Sequence, residues 1–334
     1  MLAMVLLTAA VAAGCRNDKP AQPDDARGRG ERAQPVAGEF GDQDIPAVDG
    51  FGFEPDVVLL ITGGTNGRME ICDCPDAPAA AGLARRAGLV AAYRQAFNNV
   101  VLLDSGDFFY FEPNPVRNLA LCRGYQMLGY DLVTLAENEM QVPAAERADA
   151  LAQLDAVRVA AVVETSPAAD RASQSWHWRA QRSGRPGLTL LAAATSDALM
   201  FVPPQRRGQL GLPAAGDLAE AARAAKQQGR AVVLIAHGPD EQTAGLASAV
   251  GADLIIQAHT RKSAEQAYSI GDAPAVKVGG GEYVGVAAVK LAGDGSIEKL
   301  GWRLELVDNR WPADYRLVEL FSKYRQEADA APGE

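Results

Sequence analysis

Short, unbroken apolar runs recur along the chain, each stopping at a polar or charged residue and alternating with longer alanine- and leucine-rich stretches. Val57 to Ile61, Val100 to Leu103, Asp131 to Leu135, Val157 to Val163, Leu188 to Ala193, Ala231 to Ile235 and Asp253 to Ile256 have the length and composition of buried strands. Between them, Ala79 to Ala96, part of Asn114 to Met127, Ala144 to Leu154, Leu218 to Gln228 and Glu241 to Val250 predict helices. Asp217 is placed as the N-cap of the fourth helix, with Gly229 just past its end. Gln174 to Pro186, which holds Trp176, His177 and Trp178, reads as a hairpin or an exposed excursion. Ala275 to Val307 reads as several strands separated by glycines, and Tyr315 to Ala328 as a closing amphipathic helix. Strands that alternate with helices early and cluster late predict an α/β domain with a mixed sheet or two sheets.

The ends of the runs carry the chemistry. Asp107 follows Val100 to Leu103 in the sequence VVLLDSGD, and Glu137, His237 and His259 follow three other runs. In open α/β sheets ligands gather at the carboxyl ends of strands. A lone Asp there is more often a helix N-cap, and a lone His more often a hydrogen-bonded core or loop residue. Two of the three histidines in the sequence lie at these ends, however, which makes the four residues a candidate metal-ligand set.

Composition narrows the partners. With 48% hydrophobic residues the chain can bury a sizeable core, and a net charge of -10 with no basic stripe argues against a nucleic-acid or anionic-membrane surface. Leu2 to Gly14 is apolar but too short to span a bilayer, and it runs into Ala12-Ala13-Gly14-Cys15. Small residues directly before a cysteine resemble the lipobox of bacterial lipoprotein signal peptides. That resemblance implies a lipid anchor at Cys15 and an exported, membrane-tethered protein of the cell envelope, in the periplasm or at the cell surface. Residues 1–15 are then the signal peptide, and 16–54, rich in Pro, Gly, Asp and Arg, a disordered tether. The folded domain is expected over 55–328, with a short tail over 329–334.

Taken in order, the segments resemble the calcineurin-like metallophosphoesterases, and within them the 5'-nucleotidase branch, from Val57 to about Leu291. That family orders its motifs as Asp-x-His-Gly, Gly-Asp, Gly-Asn-His-Glu, a His after a strand, and Gly-His-x-His. Here Gly64-Thr65-Asn66-Gly67, Gly106-Asp107, Ala136-Glu137-Asn138-Glu139, Ala236-His237 and Ala258-His259-Thr260-Arg261 take those places. The resemblance implies two mixed β-sheets flanked by helices. It also implies that one metal position has lost its ligands, with Gly64, Asn66 and Arg261 in three of the four places. The other position keeps Asp107, Glu137, His237 and His259, enough for one divalent ion such as Zn, Mn or Fe. Arg261 either supplies a fixed charge where the lost ion would be or is a solvated loop residue. Asn138 stands where the family has a His near the leaving group, and an amide cannot act as a general acid. The expectation is therefore a divergent phosphoric ester hydrolase with one metal, or a non-catalytic lipoprotein that binds a metal, a ligand or an envelope partner. The nucleotidases also carry a C-terminal domain that holds the nucleoside; with no segment matching it up to Glu334, nucleotide specificity is not carried over.

Three cysteines remain after Cys15. In an exported protein a disulfide from Cys122 to Cys72 or Cys74 is the default, with one thiol left over. A thiol-based metal or redox role for the Cys72-Asp73-Cys74 loop is the alternative, since by the resemblance that loop borders the vacated position. No Cys-x-x-Cys-His is present, so covalent haem is not expected.

Overall fold

A computed structural model describes residues 40–69, 82–110, 114–164, 175–179, 187–260 and 262–330. In chain order the first strands are β1 (Val57–Thr62), β2 (Val100–Asp104), β3 (Leu132–Leu135), β4 (Val157–Ala160), β5 (Val163–Glu164), β6 (Ser175–Arg179) and β7 (Gly187–Ala194). After them come β8 (Leu210–Gly211), β9 (Arg230–His237), β10 (Leu254–Ala258), β11 (Tyr268–Ile270), β12 (Ala273–Lys277), β13 (Tyr283–Leu291) and β14 (Ile297–Leu306). The helices are α1 (Leu83–Ala96), α2 (Pro115–Leu128), α3 (Glu137–Gln141), α4 (Ala144–Leu151), α5 (Pro204–Arg207), α6 (Ala215–Gln227), α7 (Asp240–Val250) and α8 (Tyr315–Ala330).

Two six-stranded mixed sheets result, ordered β14-β13-β1-β2-β3-β4 and β11-β12-β10-β9-β7-β6, with β5 and β8 pairing separately. β1 to β4 run parallel, with β13 and β14 antiparallel on one side. In the second sheet β7, β9, β10 and β12 run parallel and the antiparallel strands β6 and β11 form the edges. β1, β7 and β9 are buried along their whole length, which is why their sequences show unbroken apolar runs rather than alternation. The expected α/β class with two mixed sheets is the observed one.

Local signals set several boundaries. Asn114 caps α2 by accepting the Arg117 N–H at 2.9 Å, Pro115 opens the helix, and Gly129 closes it at φ 68. Asp217 is not the N-cap of α6: the helix starts at Ala215 with Ala214 as cap, and Asp217 lies in the first turn, where its charge still favours the helix amino end. The run Val157 to Val163 is broken after Ala160, with Val163 joining a separate ribbon to β8.

Packing begins inside the stretch assigned to the tether. Phe40 is buried, and Ile45, Val48, Phe51 and Phe53 lie against the core. Gln43 donates to the carbonyls of Phe40 and Ala313, while the Arg303 guanidinium stacks 4.3 Å from the Phe51 ring centroid. The described part of the tether is thus a strap laid along β14 and the start of α8. Isolated apolar anchors in a polar, Pro- and Gly-rich segment leave no periodic signal. Among the described residues no helix is long and apolar enough to cross a membrane.

Candidate metal centre

Neighbouring strands of each sheet deliver the four expected ligands. β2 leads to Asp107 and β3 to Glu137, the first residue of α3; β9 ends at His237 and β10 leads to His259. The two carboxylates come from the first sheet and the two imidazoles from the second. One ligand atom from each of the four residues lies within 4.8 Å of the others. His237 Nδ1 is 3.2 Å from Glu137 Oε2 and His259 Nδ1 is 3.0 Å from Asp107 Oδ2, while His259 Nδ1 also touches Glu137 Oε1. Glu137 and His237 are fully buried, whereas His259 keeps 26% of its side chain exposed.

The donor set fits a cation. Asp107 Oδ1 is buried with no hydrogen-bond partner, and the buried Glu137 carboxylate faces the ring nitrogens of His237 and His259. Buried carboxylates are ordinarily paired with a cation or bound to a metal, and four converging donors of this kind can hold one ion. The His237 tautomer suits that role. Its Nε2 lies 2.6 Å from the Ser105 carbonyl, which only accepts, so Nε2 carries the proton and the lone pair of the neutral ring is on Nδ1.

The electrostatics are those of anions and cations held together. Burial alone would depress the His237 imidazole, but the facing Glu137 carboxylate, and then Asp107, raise it to about 9. His259 is likewise depressed by burial and raised by Asp107 and Glu137, to about 10. Burial would raise Glu137, yet the two imidazoles hold it below the ordinary carboxylate range.

Backbone strain concentrates here. Among the described residues the non-glycine positions with positive φ are Asn66 at 48°, Asp107 at 58° and His259 at 54°, and all three border the site. Glu139 holds the Asp107 segment in place: its carboxylate accepts the N–H groups of Asp107 at 3.3 Å, Phe108 at 2.9 Å, Phe109 at 3.0 Å and Ala136 at 2.9 Å. Burial and the facing Asp107 carboxylate push Glu139 up to about 8, against those donors.

Asn66 and Asn138, which stand in two of the family's motif places, are joined by an amide relay. Gln141 donates to Asn138 Oδ1 at 3.0 Å, Asn138 Nδ2 to Asn66 Oδ1 at 2.7 Å, and Asn66 Nδ2 to the Gly64 carbonyl at 2.8 Å. The Asn66 N–H donates to the Asp107 carbonyl at 2.9 Å, tying the relay to a ligand. Asn138, the residue expected near a leaving group, is thus the middle of a neutral chain. Arg261, Cys72, Cys74 and Cys15 lie outside the described residues. Cys122, offered to a disulfide, is a buried free thiol on α2, and burial pushes it well above the ordinary thiol range. Its side chain packs in the core with no exposed surface, and among the described residues no bridge reaches it.

No protein-family model and no curated protein matches the sequence. Solved structures do. Sulfate thiohydrolase SoxB of Thermus thermophilus, determined with glycerol, aligns with a TM-score of 0.70 at 16% identity, covering 87% of this chain and 63% of that one. A 5'-nucleotidase precursor, also from Thermus thermophilus, gives 0.68 at 19% identity, over 82% and 59%. The calcineurin-like phosphoesterase YfkN of Bacillus subtilis gives 0.63 at 19% identity, over 81% of this chain and 97% of that one. The chain therefore spans less than two thirds of the SoxB and nucleotidase chains. At these identities the likeness establishes the fold, which is that of the calcineurin-like phosphoesterases.

Proposed function

We propose that this calcineurin-like fold serves as a divergent phosphoric ester hydrolase with a single divalent ion, held at the cell envelope by a lipid on Cys15. The observation that carries the metal reading is the convergence of one ligand atom each from Asp107, Glu137, His237 and His259 to within 4.8 Å of one another. When bound, such an ion supplies Lewis acidity and lowers the pKa of water toward neutrality. The chain's own residues do the rest. Asp107 and Glu137 balance the ion's charge, the Ser105 carbonyl holds His237 in its ligating tautomer, and the partly exposed His259 leaves an approach for substrate.

Asn138 sets the limit on rate. A positioned general acid contributes roughly 10²–10⁴-fold, and an amide locked between Asn66 and Gln141 supplies none of it. Esters with good leaving groups, such as aryl phosphates, are therefore the expected substrates. The same locked amide favours a second reading, a lipoprotein that binds metal or an envelope partner without hydrolysis. Export and lipidation rest on the Ala12-Ala13-Gly14-Cys15 pattern and are tested by Cys15→Ser, which should release the protein from membranes.

The deciding experiment is metal content by elemental mass spectrometry on wild type, His237→Ala and His259→Ala, followed by p-nitrophenyl phosphate turnover with the metal found. About one equivalent, lost in both variants, together with metal-dependent turnover supports the hydrolase. Metal without turnover favours the binding protein, and no metal in wild type overturns both metal readings.

A further inference from the structure

The turn after β2 serves two of the four ligands. Asp107 ends it, and the carbonyl that fixes His237 belongs to Ser105 within it. A carboxylate that contacts none of the ligands shapes this turn. Asp104 has no exposed surface, and its Oδ1 accepts the Gly106 N–H at 2.8 Å, closing the chain over two residues as an Asx turn does. Gly106 then runs at φ 109 and Asp107 at φ 58.

The other oxygen, Oδ2, accepts the Thr62 hydroxyl at 2.6 Å and the Tyr125 hydroxyl at 2.9 Å. Behind these hydroxyls stands a buried cation. Arg86 donates to the Tyr130 hydroxyl at 2.9 Å, to Thr65 Oγ1 at 3.4 Å and to the Gly281 carbonyl at 3.3 Å. The Tyr130 hydroxyl is 3.0 Å from Thr62 Oγ1, the Tyr125 hydroxyl 2.9 Å from Thr65 Oγ1, and the two tyrosine rings stack with centroids 4.1 Å apart. Arginine can only donate and a carboxylate only accept. Contacts therefore run from Arg86 to Asp104 along two relays, Arg86–Tyr130–Thr62–Asp104 and Arg86–Thr65–Tyr125–Asp104, with the Thr62 and Tyr125 hydroxyls donating to the carboxylate. A buried charge needs such compensation to persist.

We propose that Asp104 is the positioning residue of the metal centre: through the Gly106 N–H it holds the turn that aims Asp107 and the carbonyl that orients His237, and the two relays from Arg86 hold its other oxygen in place. This rests on the one-metal reading above. Residues that orient first ligands typically change metal affinity by roughly 10–100-fold when removed.

The test is cobalt(II) titration of the purified protein, reading affinity and the d–d absorption bands, with melting temperature measured for each variant. Asp104→Ala should bind cobalt roughly 10–100-fold more weakly, with shifted bands. Asp104→Asn, which keeps an acceptor for the Gly106 N–H, should recover most of that loss. Tyr125→Phe cuts one relay but spares the Oδ1 contact, so it should lower the melting temperature and leave the bands in place. Asp104→Leu, similar in size and without an acceptor, replaces Asp104→Ala where the smaller residue does not fold. Wild type that binds no cobalt overturns the one-metal reading itself. Wild type that binds, beside an Asp104→Ala or Asp104→Leu variant of unchanged affinity and bands, overturns the role of Asp104. So does a loss of affinity that follows melting temperature across the set.

Discussion

Gly106→Ala tests the geometry of the centre without touching a ligand. A Cβ at this position would lie 2.7 Å from both Cε1 and Nε2 of His237 and 3.1 Å from Ala136 Cβ. The imidazole cannot swing aside, because it has no exposed surface and is held by the Ser105 carbonyl. The backbone cannot relax either, since φ at Gly106 is 109, a conformation that costs a side-chain-bearing residue about 1–2 kcal/mol. Overpacking a tight site adds about 1–3 kcal/mol, so the total is about 2–5 kcal/mol. For a domain of this size that lowers the melting temperature by roughly 4–20 °C. Metal affinity should fall as well, because the nitrogen struck is the one that fixes the His237 tautomer. Scanning calorimetry and a metal titration read the two effects separately. A variant with wild-type melting temperature and affinity would falsify the placement of Gly106 against His237.

Other consequences can be checked with less effort. Gly245→Ala lies within α7 where a Cβ meets nothing within 4 Å, so it should stabilise the protein by about 0.4–1 kcal/mol and serves as a control for Gly106→Ala. In the metal-free protein His237 and His259 are raised to about 9 and about 10. A raised folded-state pKa gives stability that is fully present below the unfolded value of about 6.5 and is lost as pH climbs through the folded one. The metal-free melting temperature should therefore fall between pH 7 and pH 10, whereas metal affinity should rise over the same range with proton release, measurable by calorimetry in two buffers. Cys122, buried and raised, should resist a thiol reagent in the folded protein and react on unfolding, as peptide mass mapping would show.

The strands that carry ligands were legible because burial on both faces leaves an unbroken apolar run, and such a run has an abrupt end. Asp107, Glu137, His237 and His259 could be read off those ends, and the structure brings all four together. What escaped were the partners that work through backbone. Glu139 caps four N–H groups, and its only local sign is its position three residues after Ala136, at the start of a helix of five residues. Asp104 drew no assignment, lying between the run Val100 to Leu103 and the Gly106-Asp107 pair, since nothing local reveals an arginine on α1 reaching it through tyrosines distant in sequence. The Asn66–Asn138 relay joins residues far apart in the chain, and pairings of that kind have no periodicity to detect. Phe40 and Phe51 were hidden for the opposite reason: the residues around them are polar and turn-forming, so single aromatic anchors did not register as structure.

The division of ligands between the sheets has a mechanical side. Each sheet brings only two of the four candidate ligands, carboxylate oxygens from one and imidazole nitrogens from the other. An ion shared between them would act as a clasp on the seam. Whatever binding free energy it releases is also the free energy by which one sheet is kept in register with the other. Chelation would then loosen the seam before it unfolded either sheet, and slow amide exchange would be lost first from the ends of β2, β3, β9 and β10.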